Sequence, residues 1–313
     1  MKRAHLKCIV SLCFAVAVFS LSASPAHALN DVTACGQTLS TSGEYVLLTD
    51  LDCSGTLANG IVITASNVVF HLAGHTIASS DCDFSKEVYG IFVHGALSGI
   101  RIEGGTVRGF TDGIVLSSSQ SRVSAMTVTQ ACLFGIAVQG SANQVDTSVV
   151  TLSRLDGIGI GPGGSNLITS NDVSDNFRVG VEISNSGSNN VVQSNIINNN
   201  GIVDHEQGGV AIFGGQGNRI LNNALNNNFQ GIEIESPGNT AIGNRVSGSV
   251  DTGIFIINGS PSVVKHNIVF GSGLVDMLDD YAACGADIWR GNNFQTDLVH
   301  DIPDGGPKNG CLR

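Results

Sequence analysis

GIEIESPGNTAIGNRVSGSVDTGIFI, from Gly231 to Ile256, holds one full period of a repeat and the start of the next. Glycine, an aliphatic residue, a free position and a second aliphatic open it as GIEI and reopen it as GIFI. The same block stands as GIFV at Gly90, GIVL at Gly113, GIAV at Gly135, GIGI at Gly157, GVEI at Gly180 and GVAI at Gly209. The steps between successive glycines are 23, 22, 22, 23, 29, 22 and 22 residues. Alternation of this kind is strand patterning: the first and third residues after Gly face inward, the second and fourth outward. Apolar runs at helical spacing are nearly absent. A 22-residue unit of short strands punctuated by Gly, Asn and Ser cannot bury its apolar face alone, but it can do so by stacking on copies of itself. The repeat therefore predicts a parallel β-solenoid.

Parallel strands joined by crossovers wind right-handed, and the hexapeptide beat of left-handed solenoids is missing. The expected fold is all-β: a single-stranded right-handed parallel β-helix of roughly ten coils of 22–23 residues, capped at both ends. Residues 29–60 read as an N-terminal cap, 61–273 as coils and 274–313 as a C-terminal closure. Asparagine recurs near the corners, and Asn171, Asn195, Asn222, Asn244 and Asn267 form a series. Asn tolerates left-handed backbone at tight turns, and stacked amides can hydrogen-bond from coil to coil. These residues are expected to form a structural ladder.

Ahead of the repeats, Lys2, Arg3 and Lys7 precede an apolar run from Cys8 to Leu21, and Ala26-His27-Ala28 follows. Residues 1–28 read as a cleaved secretory signal peptide, and the run is too short for a comfortable membrane span. A lipoprotein reading of Val32-Thr33-Ala34-Cys35 places the cysteine too far beyond the apolar core. The protein is expected in the periplasm or outside the cell. Loss of three cations with the signal changes the net charge from −11 to −14. Such a chain repels nucleic acid and anionic membrane surfaces. It also suits polyanionic glycans poorly unless a cation bridges them. Six cysteines remain, an even number that favours disulfides in an exported chain. Cys35 with Cys53 and Cys284 with Cys311 are the expected local pairs, leaving Cys82 with Cys132.

The opening CGQTLSTSGEYVLLTDLDCSG, the first-coil segment SNVVFHLAGHTI and the ending CGADIWRGNNF…GCLR carry a family resemblance. The chain resembles right-handed parallel β-helix proteins of the pectin-lyase-like superfamily, of the NosD or carbohydrate-binding-and-sugar-hydrolase repeat type. That group implies the fold and leaves chemistry open among polysaccharide lyases, hydrolases, epimerases, adhesins and accessory proteins of copper enzymes. The Gly-His-Gly block of polygalacturonases and the Asp-Pro-His-Asp block of alginate epimerases are missing. Asp279-Asp280, the only Asp-Asp pair, falls in the closing segment. Met126 and Met277 lie too far apart in sequence for a copper cluster.

The outward second position of each block forms one column: Val115, Ala137, Gly159, Glu182, Ala211, Glu233 and Phe255. Only Glu182 and Glu233 are ionisable, and two coils separate them by roughly 9–10 Å. That suits two carboxylates working as acid and base with a water between them. The long step inserts Asp204, His205 and Glu206 beside this column. Glu182, Glu233 and His205 are the candidate catalytic groups; Arg178, Asp204, Glu206 and Glu235 are candidate substrate contacts. No cofactor is expected, although the acidic set could hold Ca²⁺. His71 and His75 are too far apart on a strand for one metal ion, and Asp112 and Asp156 read as turn residues. The expected function is recognition of a polysaccharide or other surface glycan, extending to lyase, hydrolase or epimerase chemistry. The alternative is a non-catalytic envelope or secreted scaffold or adhesin. The protein is expected to be a monomer.

Overall fold

The computed structural model describes residues 29–80, 82, 85–184, 186–203, 205, 207–257, 261–280, 286–299 and 312. Its strands all pair in parallel and form a solenoid with three faces. The first face is a sheet of twelve strands, one per turn, from Gln37–Leu39 to Asp297–Val299. Eleven strand steps make it about 53 Å long. The other two faces are ribbons of short strands that merge where Arg101–Arg108 and Arg122–Thr129 run across both. Parallel pairing already begins at Asn30, opposite Tyr45.

The repeat sets the interior. Ile114, Ile136, Ile158 and Val181 stack in register on the first face, as do Leu116, Val138, Ile160 and Ile183 two residues on. All eight are fully buried. The other ribbons contribute equivalent columns such as Val145, Ile168, Val192 and Ile220, also fully buried. The invariant glycine has a spatial cause. At Gly231 a Cβ would lie 2.3 Å from the Gly253 carbonyl oxygen and 2.4 Å from Val246 Cγ1. Any side chain there would hold the next coil away.

The corners carry the expected ladder, shifted at one position. Asn171, Asn195, Asn223, Asn244, Asn267 and Asn292 each accept the backbone N–H of the preceding rung or pass their own on, at 2.8–3.0 Å. Asn222, expected in the series, instead adopts φ +53° and precedes the true rung, Asn223. Turn and ladder are two jobs split between neighbours: Ser170, Ser194, Asn222 and His266 take the left-handed backbone, and the next residue makes the rung. A second ladder runs through Asn166, Asn190, Asn218 and Asn239, and a third through Asn176, Asn200 and Asn228.

Cys35–Cys53 forms as expected, and Cys82–Cys132 ties the insertion before Gly90 to a coil 50 residues away. The expected Cys284–Cys311 bridge and the signal peptide lie outside the described residues. Among the described residues no helix is long and apolar enough to cross a membrane. Near the closing end, Asp279 enters the inward column and accepts Trp289 Nε1–H at 2.7 Å, so the core ends on a satisfied polar pair.

Candidate functional site

Backbone register places Val115, Ala137, Gly159, Glu182, Ala211, Glu233 and Phe255 in one outward line on the first face. Glu182 and Glu233 both pair with Ala211, so they stand two strand steps apart, about 10 Å along the axis. Such outward residues would ordinarily be exposed. Here Glu182 is 7 % exposed, Glu233 6 % and Ala211 0 %. Neighbouring side chains cover this part of the line. Half-buried Phe134, Arg178, Gln207 and Gln230 flank it on the side where each strand begins, and Ser184, Phe213 and Glu235 on the other.

Glu182 belongs to a charged triad. The Arg178 guanidinium donates to Asp156 through Nε and Nη2, at 2.9 and 2.7 Å, and also through Nη2 to Glu182. Asp156 is fully buried and accepts the Val179 N–H at 3.1 Å, fixing the turn into the next strand. The same hydrogen bond recurs where Asp112 accepts the Phe134 N–H at 2.9 Å. Asp156 lies in a turn, as its position before Gly predicts, and anchors Arg178, whereas Asp112, expected in a turn, opens the strand Asp112–Ser119 because it pairs with Tyr89 of the preceding coil. Arg178 therefore faces two protein carboxylates, where the sequence suggested a free substrate contact. Loss of water raises the Glu182 carboxyl to about 7, with Asp156 adding to the rise and Arg178 opposing it.

Among the described residues no cation pairs with Glu233. Burial, then the Glu235 carboxylate and its hydrogen bond, then Asp251, push it from 4.5 to about 8. Its Oε2 is buried with no hydrogen-bond partner. Near neutral pH it carries a proton, while Glu182 stands at the edge of ionisation. The two differ because Arg178 serves one and carboxylates crowd the other.

Within the excursion at 201–207, His205 takes φ +56°, donates its backbone N–H to the Gly201 carbonyl at 3.0 Å and packs its ring 5.7 Å from Phe229. Asp204 and Glu206 lie outside the described residues. Gln207, at the foot of the excursion, and Gln230 each bury an Oε1 that has no donor. Phe134 went unremarked in the sequence: its ring carbons Cδ1 and Cε1 lie 2.7 and 2.8 Å from where a Gly159 Cβ would sit. The glycine within GIGI was the available signal, because it alone leaves that column without a side chain.

Other candidates are structural. His71 pairs with Glu103 at 2.9 Å and His75 with Asp50 at 3.1 Å, on a different face. Among the described residues no three His, Cys, Asp or Glu side chains gather as metal ligands.

A parallel solenoid with carboxylates on the outward face of its first sheet defines a class, and comparison with known proteins identifies it. The family model described as "Right handed beta helix region" matches residues 89–234 and 134–300. The chain belongs to the right-handed β-helix family. No curated protein matches its sequence. Among solved structures it is similar to the mannuronan C-5 epimerase AlgE6 A-module of Azotobacter vinelandii, with 14% identity, TM-score 0.63, and 86% of this chain and 87% of that one covered. It is similar to a mutant of DFA-IIIase from Arthrobacter chlorophenolicus A6 in complex with DFA-III, with 12% identity, TM-score 0.56, and 86% and 89% covered. It is also similar to the Dettilon tailspike protein, with 14% identity, TM-score 0.57, and 87% and 60% covered. At these identities the likeness is one of fold.

Proposed function

We propose that the protein is an exported glycan-binding β-helix that hydrolyses a polysaccharide along the outward face of its first sheet. The observation that carries this reading is the pair Glu182 and Glu233: two buried carboxyls on one face, held in different protonation tendencies. Glu233, protonated near neutral pH, is the general acid toward the leaving oxygen. Glu182, kept ionisable by Arg178, is the base that draws a proton from water. Their spacing of about 10 Å along the axis leaves room for that water and favours inversion over a covalent intermediate, which needs carboxyls about 5 Å apart. His205, Asp204, Glu206 and Glu235 are contacts for substrate in this scheme. The glycan-active neighbours of the same fold support the substrate class. Export rests on the N-terminal apolar run and on the two disulfides.

The engagement of Arg178 by Asp156 and Glu182 favours one second reading. In it the triad is a structural pin, and the protein is a non-catalytic envelope or secreted adhesin. A panel of polysaccharides incubated with the wild type, Glu182→Gln and Glu233→Gln separates the two. Hydrolysis should yield the inverted anomer by NMR and fall at least 100-fold in each variant. Turnover untouched by both substitutions removes this centre, and binding without turnover selects the adhesin.

A further inference from the structure

Glu182 and Glu233 occupy only part of the outward line on the first face. Four coils toward the N-terminus the same face carries a tier of rings. Phe92 and His94 alternate with fully buried Ile91 and Val93 on the strand Tyr89–Ser98, so both rings stand outward, and Tyr89, at the head of the strand, packs its ring against Phe92. Centroids lie 4.7 Å apart for Tyr89–Phe92 and 5.1 Å for Phe92–His94. Tyr89 and Phe92 are half-buried and His94 is exposed, so part of each ring meets solvent. Register runs unbroken from Phe92 through Val115, Ala137 and Gly159 to Glu182. Four strand steps make that distance about 19 Å. Polar groups gather beside the rings: Tyr89 is hydrogen-bonded to Glu87, and Asp112 pairs with Tyr89 across the strands.

Charge narrows what can lie there. Along this face stand Glu87, Asp112, Asp156, Glu182, Glu233, Glu235 and Asp251. Against them stand Arg178, held by Asp156 and Glu182, and the exposed Lys86 beside Glu87. A polyuronate would meet an excess of carboxyl groups along this face, although Glu233 is itself protonated near neutral pH. A chain bearing only hydroxyls would donate to the same carboxylates and lay its C–H faces on the rings.

We propose that Tyr89, Phe92 and His94 form a distal stacking subsite for a neutral glycan lying along the coil axis and reaching Glu182 and Glu233. This rests on the reading of that pair as the reaction centre and adds the substrate class and the direction of the chain. One coil step is close to the length of a sugar residue, so an oligomer must have about five residues to touch both regions.

The test is calorimetric titration of wild type, Tyr89→Ala, Phe92→Ala and Phe92→Leu, with Phe270→Ala as control. Phe270 sits on another ribbon, under Arg245. Thermal melting selects the folded variants, and Phe92→Leu keeps the apolar contact while removing the ring. The probes are gluco-, xylo-, manno-, galacto- and fructo-oligosaccharides of two and six residues, and hexamers of galacturonate and mannuronate. Removing either ring should weaken the best neutral hexamer about tenfold and leave dimers and the control unchanged. Uronate hexamers should bind at least tenfold more weakly than the neutral one. Unchanged hexamer affinity in all tier variants overturns the subsite, even where Glu182→Gln and Glu233→Gln still abolish turnover. Tighter binding of a uronate overturns the neutral class. Absence of binding by every oligomer overturns the subsite and the proposed function together.

Discussion

Replacing Glu233 by glutamine should stabilise the protein at alkaline pH and leave it unchanged in acid. The Glu233 carboxyl titrates near 8 in the fold against 4.5 ordinarily, so the folded state favours its protonated form. Stability from this group is therefore complete below about 4.5 and is lost as pH rises toward 8. Each pH unit in that window costs up to about 1.4 kcal/mol, giving an upper limit of about 5 kcal/mol. Part of that belongs to Glu235, which is hydrogen-bonded to Glu233, so about 2–5 kcal/mol is the working range. Glutamine keeps the shape of the acid and never ionises. The assay is thermal and urea unfolding of both proteins at pH 4.5, 7 and 9. The variant should match wild type at pH 4.5 and exceed it at pH 9 by roughly 3–8 °C. Parallel pH profiles from 4.5 to 9 would refute the claim that burial and its acidic neighbours hold Glu233 protonated.

Three further outcomes follow from particular contacts. Arg178→Ala strands the fully buried Asp156 and should cost about 3–5 kcal/mol in chemical unfolding; Arg178→Lys should recover part of it. Asn195→Ala removes the Nδ2 bonds to Ile168 and Asn223 and the acceptor for Asn171. It should cost about 2–4 kcal/mol and speed amide exchange in the two flanking coils. Gly231→Ala drives a methyl against the Gly253 carbonyl and should cost about 3 kcal/mol or more, whereas Gly55→Ala, with nothing within 4 Å of its Cβ position, should cost only its left-handed backbone, about 1 kcal/mol.

Much of the coil register was legible because it is local. In GIEI the aliphatics at 232 and 234 declare the inward face without reference to any other segment, and the next GIFI declares where they stack. The corner series was legible to within one residue. Asn222 and Asn223 are the same amino acid, and only the backbone between them assigns one to the left-handed turn and the other to the ladder. The second and third ladders escaped notice because Asn and Gly fill many corner positions, and composition does not say which amide faces the next coil.

The repeat alone determined the solenoid, the inward and outward faces, and the alignment of Glu182 with Glu233. Alternation belongs to each strand, and stacking couples only nearest coils. The tertiary structure decided that these outward glutamates are buried. Their exposure depends on the height of side chains such as Phe134, Phe213 and Gln230, set by neighbouring coils. It also decided that Arg178 reaches back 22 residues in sequence to Asp156 as well as to Glu182. A carboxyl's affinity for its proton is set by surrounding water and charge, and both arrive from segments far away in the chain.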